Sequence, residues 1–181
     1  KLQEFRRLLP GVSFDDWIKI QGFLVGVFNP DGTQPVLVIS GRQGSGKSKT
    51  AEMVRNLVDA NQVPIRTMPR KIDELFVAAE NSHLLAFDNL SHLTAEQSDA
   101  IAQISSGGGM TKRKLYSDTD EVAITTRQPM MLNGITDVVD RADLDERSLH
   151  VELDVMDPKE RRLDSEIKET YEEMRPRLLG S

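Results

Sequence analysis

The chain has 181 residues, a length that suits one ordinary domain with a sizeable core. Apolar residues make up 38% of it and charged residues 29%, a balance that indicates a globular protein and excludes a disordered one. The absence of cysteine excludes disulfides, thiolate metal ligands and cysteine nucleophiles, and the net charge of −6 argues against a surface that coats nucleic acid indiscriminately, although it allows a local basic patch.

The first predicted element is a helix that Ser13 caps, with Asp16 at its third position. Apolar residues follow at helical spacing up to Val27, and turn residues 29–32 end the helix. We therefore expect residues 1–34 to form a helical segment that leads into the core. No apolar run approaches the roughly 20 residues that cross a bilayer, and the first residues resemble no signal peptide, so we expect a cytoplasmic protein without a membrane partner. Because the chain begins without Met, we also expect it to be a piece of a longer protein.

Apolar runs then alternate with helical patterns. The run at 35–40 contains β-branched residues and is typical of a strand buried on both faces. Further strands are expected at 63–67, 83–87, 129–132 and 149–155, and helices at 49–61, 72–79, 94–104 and 138–144, the third of them opened by a capping box of Thr94 and Gln97. This alternation predicts right-handed β-α-β units, and hence an α/β fold with a parallel sheet covered by helices on both faces. We assign the core to residues 35–156.

Two segments depart from this pattern. Residues 107–126 combine three glycines, a basic-aromatic run, an acidic turn and a short apolar run, which predicts a β-hairpin inserted before the strand at 129–132. Residues 157–181 alternate charges at helical spacing and are expected to form a charged, solvated C-terminal helix.

A glycine-rich turn, GRQGSGKS, occupies residues 41–48 between the first core strand and a helix. In this pattern backbone N–H groups surround phosphates, Lys47 reaches the β and γ phosphates, and the Ser48 hydroxyl binds Mg²⁺. A flexible glycine turn is the alternative, but the strand and helix on either side favour a phosphate loop. The expected cofactors are ATP and Mg²⁺. The expected nucleotide-binding residues are Gly41, Arg42, Gln43, Gly44, Ser45, Gly46, Lys47, Ser48 and Lys49.

A second magnesium ligand is expected at the carboxyl end of a neighbouring strand, and Asp88 follows the apolar run at 83–87. A turn-capping Asp would look the same, but its combination with the phosphate loop favours the metal role. The next residue is Asn89, where ATP-hydrolysing relatives usually have Glu. Asn can hydrogen-bond water but cannot accept its proton, so either hydrolysis is slow or another carboxylate, such as Glu96, serves as the base.

Several segments together resemble a known family. They are PVLVISGRQGSGKS, LLAFDNLSHL, GGGMTKRKLYSDTDE, PMMLNGI and RADLDERSLHVEL. This set is similar to the ATPase modules of phage- and mobile-element-encoded primase-helicase proteins, in the superfamily 3 helicase-like branch of the AAA+ class. The helical lid that such modules carry after the last strand is represented here only by residues 157–181.

The resemblance implies roles for particular residues. Asn133 matches the polar sensor that contacts the γ-phosphate or the attacking water. Arg147, and less directly Arg141, matches the arginine that reaches a neighbouring subunit's nucleotide. The inserted hairpin matches the one that grips single-stranded or forked DNA in the pore of a hexameric ring, which implies a homo-oligomer. The implied catalytic residues are Lys47, Asp88, Asn89, Asn133 and Arg147, and the implied DNA contacts are Lys112, Arg113, Lys114 and Tyr116.

Simpler interpretations stay open. Asn133 precedes Gly134 and could form an ordinary turn, Arg141 and Arg147 could pair with nearby acidic residues, and the basic run at 112–114 could protect a strand edge. The three histidines have no metal-ligand spacing.

Three functions are compatible with the sequence. The first is a DNA-dependent ATPase motor, the second a nucleotide-dependent switch or loader with slow hydrolysis, and the third a small-molecule kinase, for which the acidic segment 157–173 is a poor lid.

Overall fold

The computed structural model describes residues 2–9, 11–113, 121–155 and 162–179. Within these ranges it does not describe the side chains of residues 112, 113, 121, 122 and 179. Seven helices lie in these ranges: α1 (Leu2–Arg6), α2 (Phe14–Gly26), α3 (Lys47–Val58), α4 (Ile72–Glu80), α5 (Ala95–Ser106), α6 (Ala142–Asp145) and α7 (Asp164–Leu179). The strands are β1 (Val36–Gly41), β2 (Leu85–Leu90), β3 (Gly109–Arg113), β4 (Glu121–Thr125), β5 (Met130–Gly134) and β6 (Ser148–Leu153).

Four strands form a parallel sheet in the order β2-β5-β1-β6. β1 lies inside the sheet and is buried on both faces, as its apolar run predicts. Val36 and Val38 contact one core cluster, with α4, α5 and α6, whereas Leu37 and Ile39 contact the other, with α1, α2, α3 and α7. The predicted α/β fold is therefore confirmed, with one helical layer on each face.

Local signals in the sequence form the predicted caps. The Ser13 side chain accepts a hydrogen bond from the Asp16 N–H at 3.0 Å. At the start of α5, Thr94 and Gln97 form both bonds of a capping box. These bonds satisfy N–H groups that a helix start otherwise leaves without partners.

The hairpin is present as a separate two-stranded sheet of β3 and β4, in which Gly109 pairs with Thr125 and Arg113 with Glu121. Ile124 is buried and Met110 partly buried against the cluster that contains α4 and α5, so the base of the hairpin is attached to the core. Lys114 and Tyr116, two of the expected DNA contacts, lie outside the described residues.

Three structural expectations need correction. The expected strand at 63–67 is reduced to a single bridge between Arg66 and Phe87, because Pro64 cannot donate to a strand ladder. The helix expected at 138–144 is only α6. The C-terminal helix is not solvated all round, because it buries Tyr171, Met174 and Leu178 against the core. Their spacing of three and four residues forms one apolar face among the charges.

Candidate nucleotide-binding site

The phosphate loop connects the carboxyl end of β1 to the first turn of α3. Gly44 and Gly46 have φ of 84° and 83°, a left-handed conformation that glycine adopts at little cost. Gly46 caps α3 without a side-chain bond, so the first N–H groups of the helix point at the loop. A helix start with free N–H groups and the positive end of its dipole is suited to bind a phosphate.

Lys47 lies over this loop. Its Nζ donates to the Arg42 carbonyl oxygen at 2.9 Å, which holds the ammonium beside the backbone that would surround phosphates. A large cavity of about 1440 Å³ opens here. Of the expected nucleotide-binding residues, it is lined by Gln43, Gly44, Gly46, Lys47, Ser48 and Lys49.

The other three expected residues do not line this cavity. Ser45 is fully buried, and a Cβ on Gly41 would lie 2.9 Å from its Oγ and 2.6 Å from the Leu153 oxygen. The Arg42 side chain is exposed, and its backbone oxygen holds Lys47. Gly41 and Ser45 pack inside the loop, and the nucleotide-binding role of these three residues stays a prediction.

Ser48, Asp88 and Asn133 come together from three separate segments of the chain. Asn133 Nδ2 donates to Asp88 Oδ1 at 2.6 Å and lies 3.5 Å from Ser48 Oγ. β1, β5 and β2 are parallel, so their carboxyl ends lie at the same end of the sheet. The strand that carries Asp88 is not the direct neighbour of β1 that the sequence predicts, because β5 lies between β1 and β2. Asn133 lies inside β5 and is 1% exposed, so its interpretation as a residue of an ordinary turn is wrong.

The chemistry of this cluster fits magnesium. Mg²⁺ prefers hard oxygen ligands, and it commonly uses one carboxylate together with phosphate oxygens and water. The Ser48 hydroxyl and the Asp88 carboxylate supply such oxygens beside the phosphate loop. Among the described residues no group of three or more His, Asp or Glu side chains could hold a metal by itself.

Asn89 also lines the cavity, and its backbone has φ of 58° at a register shift in β2. Asn tolerates this left-handed region better than most residues. The shift turns Asp88 toward Asn133 and leaves Asn89 exposed. Glu96, the alternative base, is exposed on the first turn of α5 and does not line the cavity, so this expectation is not supported.

Arg147 lies at the amino ends of the parallel strands, opposite the phosphate loop. The next residue, Ser148, pairs with Val36 at the start of β1, which places Arg147 about 20 Å along the strand from Gly41. Arg147 forms an ion pair with Asp143 at 2.8 Å, and Arg141 forms one with Asp99 at 2.9 Å. The simpler interpretation, in which both arginines pair with acidic residues of their own segment, is confirmed for Arg147 and not for Arg141, whose partner lies on α5. Neither arginine lines the phosphate cavity of its own chain.

Sequence reasoning missed the far wall of the cavity. Arg7 and Leu8, after α1, and Ile167, on α7, line it together with the phosphate loop. These residues lie more than 30 positions from the loop in sequence, and no local pattern connects them to it. The apolar spacing of α7 was the one available signal, because it shows that the helix packs on the core.

Fold and site together define a protein of the P-loop class, with a three-layer α/β core. Residues 15–181 match the model of a family described as actinomycete integrative conjugative element replication proteins. The chain belongs to this family. No match is found among curated proteins.

Solved structures share the fold. The apo structure of the NrS-1 C-terminal region is 15% identical, with a TM-score of 0.64, over 94% of this chain and 42% of that one. A structure of JCV helicase with a bound small molecule is 11% identical, with a TM-score of 0.57, over 93% of this chain and 49% of that one. The chain thus spans less than half the length of these solved chains. No helix in the described ranges is long and apolar enough to cross a membrane.

Proposed function

We propose that the chain is an ATP-binding and ATP-hydrolysing module of the AAA+ class that acts on DNA as the helicase part of a replication protein. The observation that carries this proposal is the contact of Asn133 with both Asp88 and Ser48 beside the phosphate loop. A simple glycine turn would not require a carboxylate, an amide and a hydroxyl to converge from three segments.

In this proposal each residue has a defined task. The loop N–H groups and Lys47 bind and orient the phosphates, and Ser48 and Asp88 hold the metal. Bound Mg²⁺ would supply electrostatic stabilisation of the charge on the phosphates. Asn133 orients the Asp88 carboxylate and can also bind the attacking water or the γ-phosphate.

DNA and other subunits enter the proposal through separate surfaces. The membership of a replication-protein family supports action on DNA, and the hairpin with its basic run is the proposed contact. Since Arg147 cannot reach the phosphate loop of its own chain, it would serve a neighbouring subunit in a homo-oligomer, a hexameric ring in the full-length protein.

One observation favours a second function. Asn89 occupies the position next to Asp88 where a base is expected, and Glu96 lies elsewhere. A nucleotide-dependent switch or loader, which binds ATP tightly and hydrolyses it slowly, would need no base at that position.

The direct test is ATP binding measured by calorimetry in the presence of Mg²⁺. Lys47→Ala removes charge-assisted hydrogen bonds of roughly 1.5–3 kcal/mol, so affinity should fall by about tenfold or more. Lys71→Ala, an exposed lysine outside the cavity, is the matched control and should bind as the parent does. Equal affinity of the parent and Lys47→Ala would show that the loop is not a phosphate site.

A further inference from the structure

A second pocket, which we call the amino-edge pocket, lies at the amino ends of the parallel strands, opposite the phosphate loop. It has a volume of about 440 Å³ and shares no lining residue with the phosphate cavity. Its walls come from the segments before β1, β2 and β5 and from the base of the hairpin, including Phe28, Gln34, His83, Thr126 and Arg127. This volume falls within the range of pockets that bind small ligands or single nucleotides.

One wall is aromatic. Phe28 stacks on His83, with ring centroids 6.1 Å apart and an interplanar angle of 28°. Phe28 is nevertheless 61% exposed, so much of its surface remains open. An exposed aromatic ring held by a second ring is a suitable surface for stacking a nucleobase.

Two residues that line the pocket, Gln34 and Thr126, have a buried polar atom without a partner among the described residues. Gln34 is 5% exposed; its Nε2 donates to the Asn29 oxygen at 2.7 Å, but its Oε1 is buried and has no partner among the described residues. The Thr126 hydroxyl is in the same condition. A buried polar atom without a hydrogen bond costs free energy, and a hydrogen-bonding ligand in the pocket would lower that cost if either side chain turned toward it.

The rim carries a cation, the side chain of Arg127. The Arg127 guanidinium packs on Gly107, where a Cβ would lie 2.5 Å from Arg127 Nε. Within the described part of the chain it makes one long hydrogen bond, 3.5 Å to the Pro30 oxygen, and no ion pair. A guanidinium in this position can bind a phosphate.

We propose that this pocket binds one nucleotide of single-stranded DNA, with the base stacked on Phe28 and a phosphate on Arg127. The hairpin supports this source of the nucleotide. Thr125, which pairs with Gly109 at the base of the hairpin, lines the pocket, and Lys112 lies three ladder positions further along, about 10 Å away. One strand could therefore contact both the pocket and the basic run. The inference rests on the proposed action on DNA.

The test is a salt titration of oligonucleotide binding, with a fluorescent dT-rich single strand as the probe. Phe28→Ala should weaken binding by about tenfold with no change in salt slope, since it removes stacking and not charge. Phe14→Ala removes an equally exposed ring elsewhere, 58% exposed, and should bind as the parent does. Thermal melting of both variants checks that the fold is intact.

The proposed phosphate contact is tested in the same titration with Arg127→Gln. This change should reduce the salt slope by about 0.7, the value for one phosphate contact on a single strand. Arg177→Gln, an exposed arginine on α7, is its control and should leave the slope unchanged.

Parent-like binding by both Phe28→Ala and Arg127→Gln would overturn this inference alone. A parent that binds no single-stranded DNA would overturn the inference together with the DNA part of the proposed function. Binding of free AMP that depends on Phe28, without any Phe28 effect on DNA, would assign the pocket to a free nucleotide and overturn its assignment to DNA.

Discussion

At the scale of single residues, the proposal assigns metal binding to Asp88, whereas Asn89, the next residue, cannot accept a proton. Asp88 is fixed by Asn133 at 2.6 Å, whereas Asn89 reaches the cavity through a left-handed backbone conformation. The left-handed conformation of Asn89 could not be predicted from the sequence, because an Asp-Asn pair after an apolar run is also compatible with an ordinary strand end. The identity of Asp88 as the strand-end carboxylate could be predicted, because β-strand polarity places it beside the loop.

Asn89→Asp tests whether the absence of a base limits turnover. Asp tolerates the same backbone region, and a positioned carboxylate contributes typically 10²–10⁴-fold as a general base. We expect faster ATP hydrolysis, by about tenfold or more, with little change in nucleotide affinity, as measured by phosphate release. Asn61→Asp adds the same charge outside the cavity and keeps an oxygen for the Val63 N–H, so it should behave as the parent does. A variant no faster than the parent would show that another group already accepts the proton.

At the scale of elements, the charged residues of α7 mask in the sequence an apolar face that packs on the core. Its charged residues predict solvation, yet Tyr171 contacts Phe5, with ring centroids 6.1 Å apart, and its hydroxyl donates to the Met53 oxygen at 2.8 Å. Burial raises the pKa of Tyr171 well above its ordinary value. This helix connects α1, α3 and the wall of the phosphate cavity.

Tyr171→Phe removes this hydrogen bond and should lower the free energy of unfolding by roughly 0.5–1.5 kcal/mol at pH 7. Because the pKa is higher in the folded state, the stabilisation is fully present below pH about 10 and is lost as the pH rises further. Urea denaturation at pH 7 and above pH 10 should therefore show a smaller alkaline loss for Tyr171→Phe than for the parent. Thr170→Val, which removes a hydroxyl bonded within the helix, is the control. An equal alkaline loss in Tyr171→Phe and the parent would contradict this role.

The hairpin is the second element with a testable role. Strand alternation predicts that Lys112, Lys114 and Tyr116 share one face. Lys114→Ala and Tyr116→Ala should both weaken binding of single-stranded DNA, but only the lysine change should reduce the salt slope, by about 0.7. ATP affinity should survive in both variants, since the hairpin lies outside the phosphate loop. If both bind DNA as the parent does, the basic run protects a strand edge instead.

At the scale of the whole molecule, the phosphate loop lies at the carboxyl ends of the parallel strands and Arg147 lies at their amino ends. The α/β class and the inserted hairpin follow from apolar runs and turn residues, which act locally. The strand order, in which β5 lies between β1 and β2, depends on long-range pairing that these patterns do not encode. The cavity wall formed by Arg7, Leu8 and Ile167, and the amino-edge pocket, depend on contacts between distant segments, which no local pattern encodes.

This arrangement predicts how subunits would complement one another. Arg147→Ala should leave ATP binding nearly intact and remove turnover, because an arginine supplied by a neighbour acts on the charge of the transition state. Mixing Arg147→Ala with Lys47→Ala protein should restore part of the activity, since one mixed interface then has an intact loop and an intact arginine. Arg141→Ala is the comparison variant. Absence of rescue, in preparations shown by mass measurement to form mixed oligomers, would count against action between subunits.

The most direct measurement for the account as a whole is steady-state ATP hydrolysis with and without single-stranded DNA. A DNA-dependent motor predicts turnover that requires Lys47 and that increases when DNA is added. Turnover that DNA leaves unchanged, or tight ATP binding with negligible turnover in both conditions, would contradict the motor, and the latter result would favour the nucleotide-dependent switch.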